Sequence, residues 1–93
     1  MFKCIIGLYG LPRGIVNGHQ VEVELKDEAG LTDVIAALRS KIPKLEGPVI
    51  RAGEDKLTEH YAFNINGRFY MDDKEIRVRS GDKVGLLALA AGG

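Results

Sequence analysis

The sequence predicts an α+β fold in which a mixed sheet of roughly four to five strands packs on one main helix. Three observations predict it: period-two alternation of apolar residues near both ends of the chain, one apolar stripe at helical spacing between residues 31 and 42, and an Asn-Gly turn joining two further alternating runs. At 93 residues the chain has the length of a single domain. Residues 1–93 are therefore read as one unit, with 90–93 as a flexible tail.

Phe2, Cys4, Ile6 and Leu8 alternate against Lys3, Ile5, Gly7 and Tyr9, the pattern of a first strand with one buried face. Gly10-Leu11-Pro12-Arg13-Gly14 and then Asn17-Gly18 break the run and turn the chain. A second strand follows from Gln20 to Lys26, with Val21, Val23 and Leu25 on one face and Gln20, Glu22 and Glu24 on a wet one. Thr32 is the expected N-cap of the helix, with Asp33 placed to complement the dipole. Leu31, Val34, Ile35, Leu38 and Ile42 form its apolar stripe, and Pro43 ends it.

Residues 44–60 carry little periodicity. Gly47-Pro48, the short Val49-Ile50 pair and the charged Glu54-Asp55-Lys56 cluster suggest a long connection with at most a brief strand. Tyr61, Phe63 and Ile65 then alternate with Ala62 and Asn64. Asn66-Gly67 is the strongest hairpin signal in the chain and leads into Arg68, Phe69 and Tyr70. Ile76 to Arg79 alternates, Ser80-Gly81-Asp82 turns, and Lys83 to Leu89 forms a last apolar strand before Ala90-Ala91-Gly92-Gly93.

Charge and composition exclude several function classes. Thirteen Lys and Arg balance thirteen Asp and Glu, so no net field draws the chain to nucleic acid or to anionic lipid. The apolar start MFKCIIGLYG is too short to span a membrane and lacks a signal-peptide pattern, which points to the cytoplasm. Cys4, the one cysteine, falls in a strand pattern with no activating neighbour and reads as a core thiol.

His19 and His60 are far apart with no zinc spacing, and Asp72-Asp73 reads as a solvated turn. Gly7, Gly10 and Gly14 lack the Gly-Lys-Ser/Thr ending and the following helix of a phosphate loop. Thr32, Ser40 and Thr58 belong to no triad pattern, and Glu22 and Glu24 share a solvated strand face. The aromatics Tyr61, Phe63, Phe69 and Tyr70 serve core packing better than RNA stacking, because a second helix is missing. The chain thus offers no catalytic residues of its own, and no cofactor or metal site.

What remains is the Gly-Gly terminus immediately after an apolar strand. Together with Phe63-Asn64-Ile65-Asn66-Gly67-Arg68 and the Ser80-Gly81-Asp82-Lys83-Val84 turn, it resembles the MoaD/ThiS family of ubiquitin-like β-grasp sulfur carriers over nearly the whole chain. The resemblance implies a sheet in which the first and last strands lie side by side. It also implies that an E1-like adenylating enzyme, using ATP and magnesium, activates the Gly93 carboxylate. A sulfur donor then converts it to a thiocarboxylate, which is delivered to a synthase large subunit or an equivalent acceptor, with molybdopterin synthesis ranked first.

Gly92, Ala91 and Ala90 would give access, since glycine lacks a Cβ and passes narrow channels. Residues 88–93, extended at ~3.3 Å each, reach about 20 Å. Leu87 and Leu89, on the face of the last strand opposite Val84, Leu86 and Ala88, are candidate docking residues, unless the 44–60 connection covers them. Arg77, Arg79 and Lys83 are candidates for a polar rim. Three alternatives stay open: a thiamine-type carrier, a ubiquitin-like modifier forming isopeptide bonds through Gly93, and a noncovalent interaction module that does not use its tail.

Overall fold

The computed structural model describes residues 1–12, 14–16 and 18–89. Strands β1 (Phe2–Tyr9) and β2 (Gln20–Leu25) form where the alternation predicts them and pair antiparallel, with Cys4 opposite Val23. The last strand, β7 (Val84–Ala88), runs parallel to β1, with Leu8 beside Leu86. Strand β4 (Tyr61–Ile65) pairs antiparallel with β7 on its other side, and β5 (Arg68–Tyr70) closes the far edge. The five-stranded sheet has the order β2-β1-β7-β4-β5, so the first and last strands are neighbours, as expected, and β7 is central.

The β4–β5 hairpin has the two-residue loop that its dipeptide predicts. Asn66 at φ 52° and Gly67 at φ 91° supply the two positive φ values of a primed turn, which matches the twist of the flanking strands. A second, two-stranded sheet pairs β3 (Ala29–Gly30) with β6 (Arg77–Val78). Sequence periodicity did not reveal β3, because two residues carry no period; of the alternation from Ile76 to Arg79, only Arg77 and Val78 pair.

Helix α1 spans Leu31–Lys41 and buries Leu31, Val34, Ile35 and Leu38 against the sheet. Its N-cap is Gly30 rather than Thr32. The Asp33 carboxylate accepts from the Gly30 N–H at 2.9 Å, satisfying the N-cap residue's own backbone donor. Ile42 is the C-cap, its N–H donating to the Leu38 carbonyl. Pro43 then opens a single 3-10 turn, Pro43–Leu45.

The connection after α1 is long, but it is part of the core. Leu45, Val49 and Ile50 are fully buried and Leu57 nearly so. Isolated bridges tie Ile50 to Glu46 and to Leu57. Arg39 on α1 clasps this segment from outside: its guanidinium bonds the Asp55 carboxylate at 2.6 Å and the carbonyls of Arg51 and Glu54, and lies 3.5 Å from Glu46. These buried residues share one cluster with Ile6, Phe63 and Leu86. The connection therefore packs on the helix side of the sheet, leaving the opposite face, with Leu87, uncovered by it.

Candidate functional site

The outer face of the sheet follows from the strand register. In β7 the residues Val84 and Leu86 are buried, so Gly85 and Leu87 point the other way. Register places Tyr9 of β1 on one side of Leu87 and Ala62 of β4 on the other. In the next row Gly7, Gly85, Asn64 and Phe69 stand side by side. Both glycines are bare on this face, and the Tyr9 ring fills the space above them: a Cβ at Gly7 would meet the phenol oxygen at 2.5 Å.

This face is apolar for an exposed one. Tyr9 and Phe69 are each 59% exposed and Ile5 is 55% exposed, while Leu87 is half-buried. A shallow depression of about 310 Å³ is bordered by Tyr9, Asn64, Lys83, Gly85 and Leu87. Flat, exposed apolar surface of this kind, with a cation at its edge, can seat a partner.

The residues singled out from sequence separate into three groups. Lys83 is brought to Leu87. Its backbone is fixed by Asn66, whose side-chain oxygen accepts from the Lys83 N–H at 2.9 Å and whose N–H donates to the Lys83 carbonyl at 2.9 Å. Leu89 follows β7, its N–H donating to the His60 carbonyl at 2.8 Å, and is 36% exposed.

Arg77 and Arg79 lie elsewhere. The Arg77 guanidinium bonds the carbonyls of Lys74 and Ile76, and that of Arg79 reaches the Glu28 carboxylate at 2.9 Å. Both border a different depression, with Arg68 and Tyr70. Ala90, Ala91, Gly92 and Gly93 lie outside the described residues.

Tyr9 and Phe69 were not singled out from sequence as docking residues; Ala62, beside Leu87 in the register, is buried. Tyr9 carried a signal, an aromatic on the outward register of β1, but only strand pairing sets it beside Leu87. His19 and His60 are exposed. Cys4 is buried, and burial first, then the nearby Asp82 charge, pushes its thiol pKa up, the opposite of what activates a nucleophile. Among the described residues no group of three His, Cys, Asp or Glu is placed to hold a metal, and no helix is long and apolar enough to cross a membrane.

Comparison with known proteins adds three findings. The model of the ThiS family matches residues 6–93. Among curated proteins none matches the chain. Among solved structures, the chain is similar to the crystal structure of SAMP1 from Haloferax volcanii, at 22% identity and a TM-score of 0.80, covering 99% of this chain and 100% of that one. It is also similar to the crystal structure of Haloferax volcanii small archaeal modifier protein 1, at 20% identity and a TM-score of 0.78, over 95% and 98% of the two chains. The solution structure of the Haloferax volcanii HVO 2177 protein aligns at 23% identity with a TM-score of 0.69, over 98% and 88%. These likenesses establish the fold as the ubiquitin-like β-grasp.

Proposed function

Because the chain belongs to the ThiS family, we propose that it is a sulfur carrier working through the carboxylate of Gly93. The observation that carries this reading is that the family match runs through to the terminal glycine pair, ending at residue 93. A carboxylate is a poor electrophile. An E1-like partner would therefore bring its oxygen onto the α-phosphate of ATP, releasing pyrophosphate and leaving an acyl-adenylate on Gly93. A persulfide sulfur then attacks the Gly93 carbonyl carbon and displaces AMP, and reductive cleavage of the sulfur–sulfur bond by a thiol leaves a thiocarboxylate. The chemistry belongs to the partners, and the role of this chain is to be recognised and to present its end.

Recognition falls to the outer face beside β7. Tyr9 and Leu87 supply apolar area, Lys83 a cation at its edge, and β7 is the strand from which the chain continues to Gly93. Gly92, Ala91 and Ala90 add little bulk between that face and the reacting carboxylate. The acceptor that fits best is the large subunit of a molybdopterin-type synthase, a choice resting on the Asn66-Gly67-Arg68 hairpin and the chain length.

A second reading is favoured by a specific observation: two of the similar structures bear the name SAMP1 or small archaeal modifier protein 1. A modifier would follow the same adenylation but end in an isopeptide bond between Gly93 and a lysine of a target. Intact mass spectrometry of protein isolated from its native cell separates the two. Replacement of one oxygen by sulfur supports the carrier, and higher-mass conjugates with no thiocarboxylate support the modifier. Deleting Gly92-Gly93 without loss of function in the cell would overturn both in favour of a noncovalent module.

A further inference from the structure

The Asn66-Gly67 turn carries a chemical liability as well as a hairpin. In an Asn-Gly dipeptide the glycine amide nitrogen can attack the asparagine side-chain carbonyl carbon, and no Cβ on the following residue shields the approach. In this fold both reacting groups are engaged in other hydrogen bonds. The Gly67 N–H donates to the Asn64 side-chain oxygen at 2.9 Å. The Asn66 side-chain amide is anchored at both ends: its nitrogen donates to the Asp82 carboxylate at 3.0 Å, and its oxygen accepts from the Lys83 N–H at 2.9 Å. Asp82 is itself fixed by the Arg79 N–H at 2.7 Å. All four bonds are solvent-exposed, so they can open while the core remains packed.

We infer that Asn66 is a deamidation site gated by local opening of the Asn64–Gly67 and Asn66–Asp82 bonds rather than by unfolding of the whole domain. In the opened turn the Gly67 nitrogen gives its proton to solvent base and bonds to the Asn66 side-chain carbonyl carbon. The bond from that carbon to the side-chain nitrogen breaks, and ammonia leaves. Water then opens the cyclic imide to an aspartyl or isoaspartyl residue. No oxidant or reductant is consumed.

The product reinforces the opening. An aspartyl side chain has no N–H for Asp82 and places a second carboxylate beside it, which is repulsive. An isoaspartyl linkage adds a backbone atom to a two-residue turn whose length sets the strand register. Either product loses the side-chain N–H that ties the β4–β5 turn to Asp82, two residues before β7. The inference concerns the turn chemistry and stands apart from the sulfur-carrier reading.

Peptide mapping of the full-length protein by mass spectrometry, during incubation at mildly alkaline pH, tests it. Asn17-Gly18 is the same dipeptide in the same chain and sets the rate in denaturant. The two asparagines should deamidate at comparable rates when unfolded, and Asn66 should be slower by about tenfold or more in the native protein. Asn64→Ala, which frees the Gly67 N–H, should raise the native rate at Asn66 severalfold, and so should Asp82→Ala. Val23→Ala destabilises the core away from the turn and should not raise it. Equal native and denatured rates, or an acceleration by Val23→Ala as large as by Asn64→Ala, would overturn the inference.

Discussion

The ring of Tyr9 on β1 lies across Gly85 on β7, close enough that a Cβ at Gly85 would stand 3.1 Å from the ring edge. A side chain from one strand thus covers the bare backbone of two, because Gly7 in β1 sits beside Gly85 in the register. Gly7→Ala must displace the ring, since its new Cβ would fall 2.5 Å from the phenol oxygen. The ring is mostly exposed and can swing aside, and alanine is better than glycine in a strand by about 0.5–1 kcal/mol. The expected result is a shift of the Tyr9 ring resonances with little change in Tm. A loss of several degrees would show that the ring has a structural role.

Docking on the outer face can be read from activation kinetics. Tyr9→Ala and Leu87→Ala each remove apolar area at the centre of the patch and should lower kcat/KM for ATP-dependent adenylation by about tenfold, the loss expected of an energetically significant interface residue costing more than about 1 kcal/mol. Arg77→Ala should leave the rate unchanged, because that side chain is turned to the Lys74 and Ile76 carbonyls. Equal losses in all three variants, measured by pyrophosphate exchange with the activating enzyme, would place docking elsewhere.

The segment after α1 behaves as core, not as loop. Ile50 is as fully buried as Leu38 on the helix, so Ile50→Ala and Leu38→Ala should each cost about 2–5 kcal/mol in denaturant unfolding. A cost for Ile50→Ala near that of a surface substitution would contradict this packing.

Acid should weaken the turn before β7. The Arg79 backbone N–H, and then the Asn66 side chain, hold the Asp82 carboxyl below the usual aspartate range. A carboxyl whose folded pKa is depressed stabilises fully above its unfolded pKa, and that contribution is lost as pH falls through the folded value. The Tm difference between the wild type and Asp82→Ala should therefore be constant from neutral pH down to the ordinary aspartate range and close in stronger acid. A difference independent of pH would mean that the charge has no part in it.

Cys4 should be silent in the native protein. Its thiol is buried and its pKa raised, so a thiol-specific reagent at mildly alkaline pH should react only after denaturant is added. Rapid native labelling would point to an opening of the β1–β2 edge.

Much of this was legible in the chain. Strands β1 and β2 and the helix announced themselves because each has one buried face, and burying one face imposes a period of two or 3.6 on the residue types. The Asn66-Gly67 hairpin was legible because few dipeptides supply two positive φ values. Thr32 has a hydroxyl that suits a cap, but the chain starts the helix two residues earlier than that cap would, at Leu31, with Gly30 as the cap and Asp33 reaching back to it. The 44–60 segment resisted reading because its buried residues, Leu45, Val49, Ile50 and Leu57, follow an irregular backbone and so have no common period.

The sequence by itself determined the α+β class, the one main helix, the buried thiol and the family, since all of these depend on local pattern or on residue identity. Which residues meet on the outer face was decided only by tertiary structure. Leu87 and Lys83 are close in sequence to Arg79 and Arg77, yet the parallel pairing of β7 with β1 gives Leu87 the company of Tyr9, some eighty positions away in the numbering. The arginines turn instead to Glu28 and to the carbonyls of Lys74 and Ile76. Strand register is a property of two segments at once, and neither segment alone contains it.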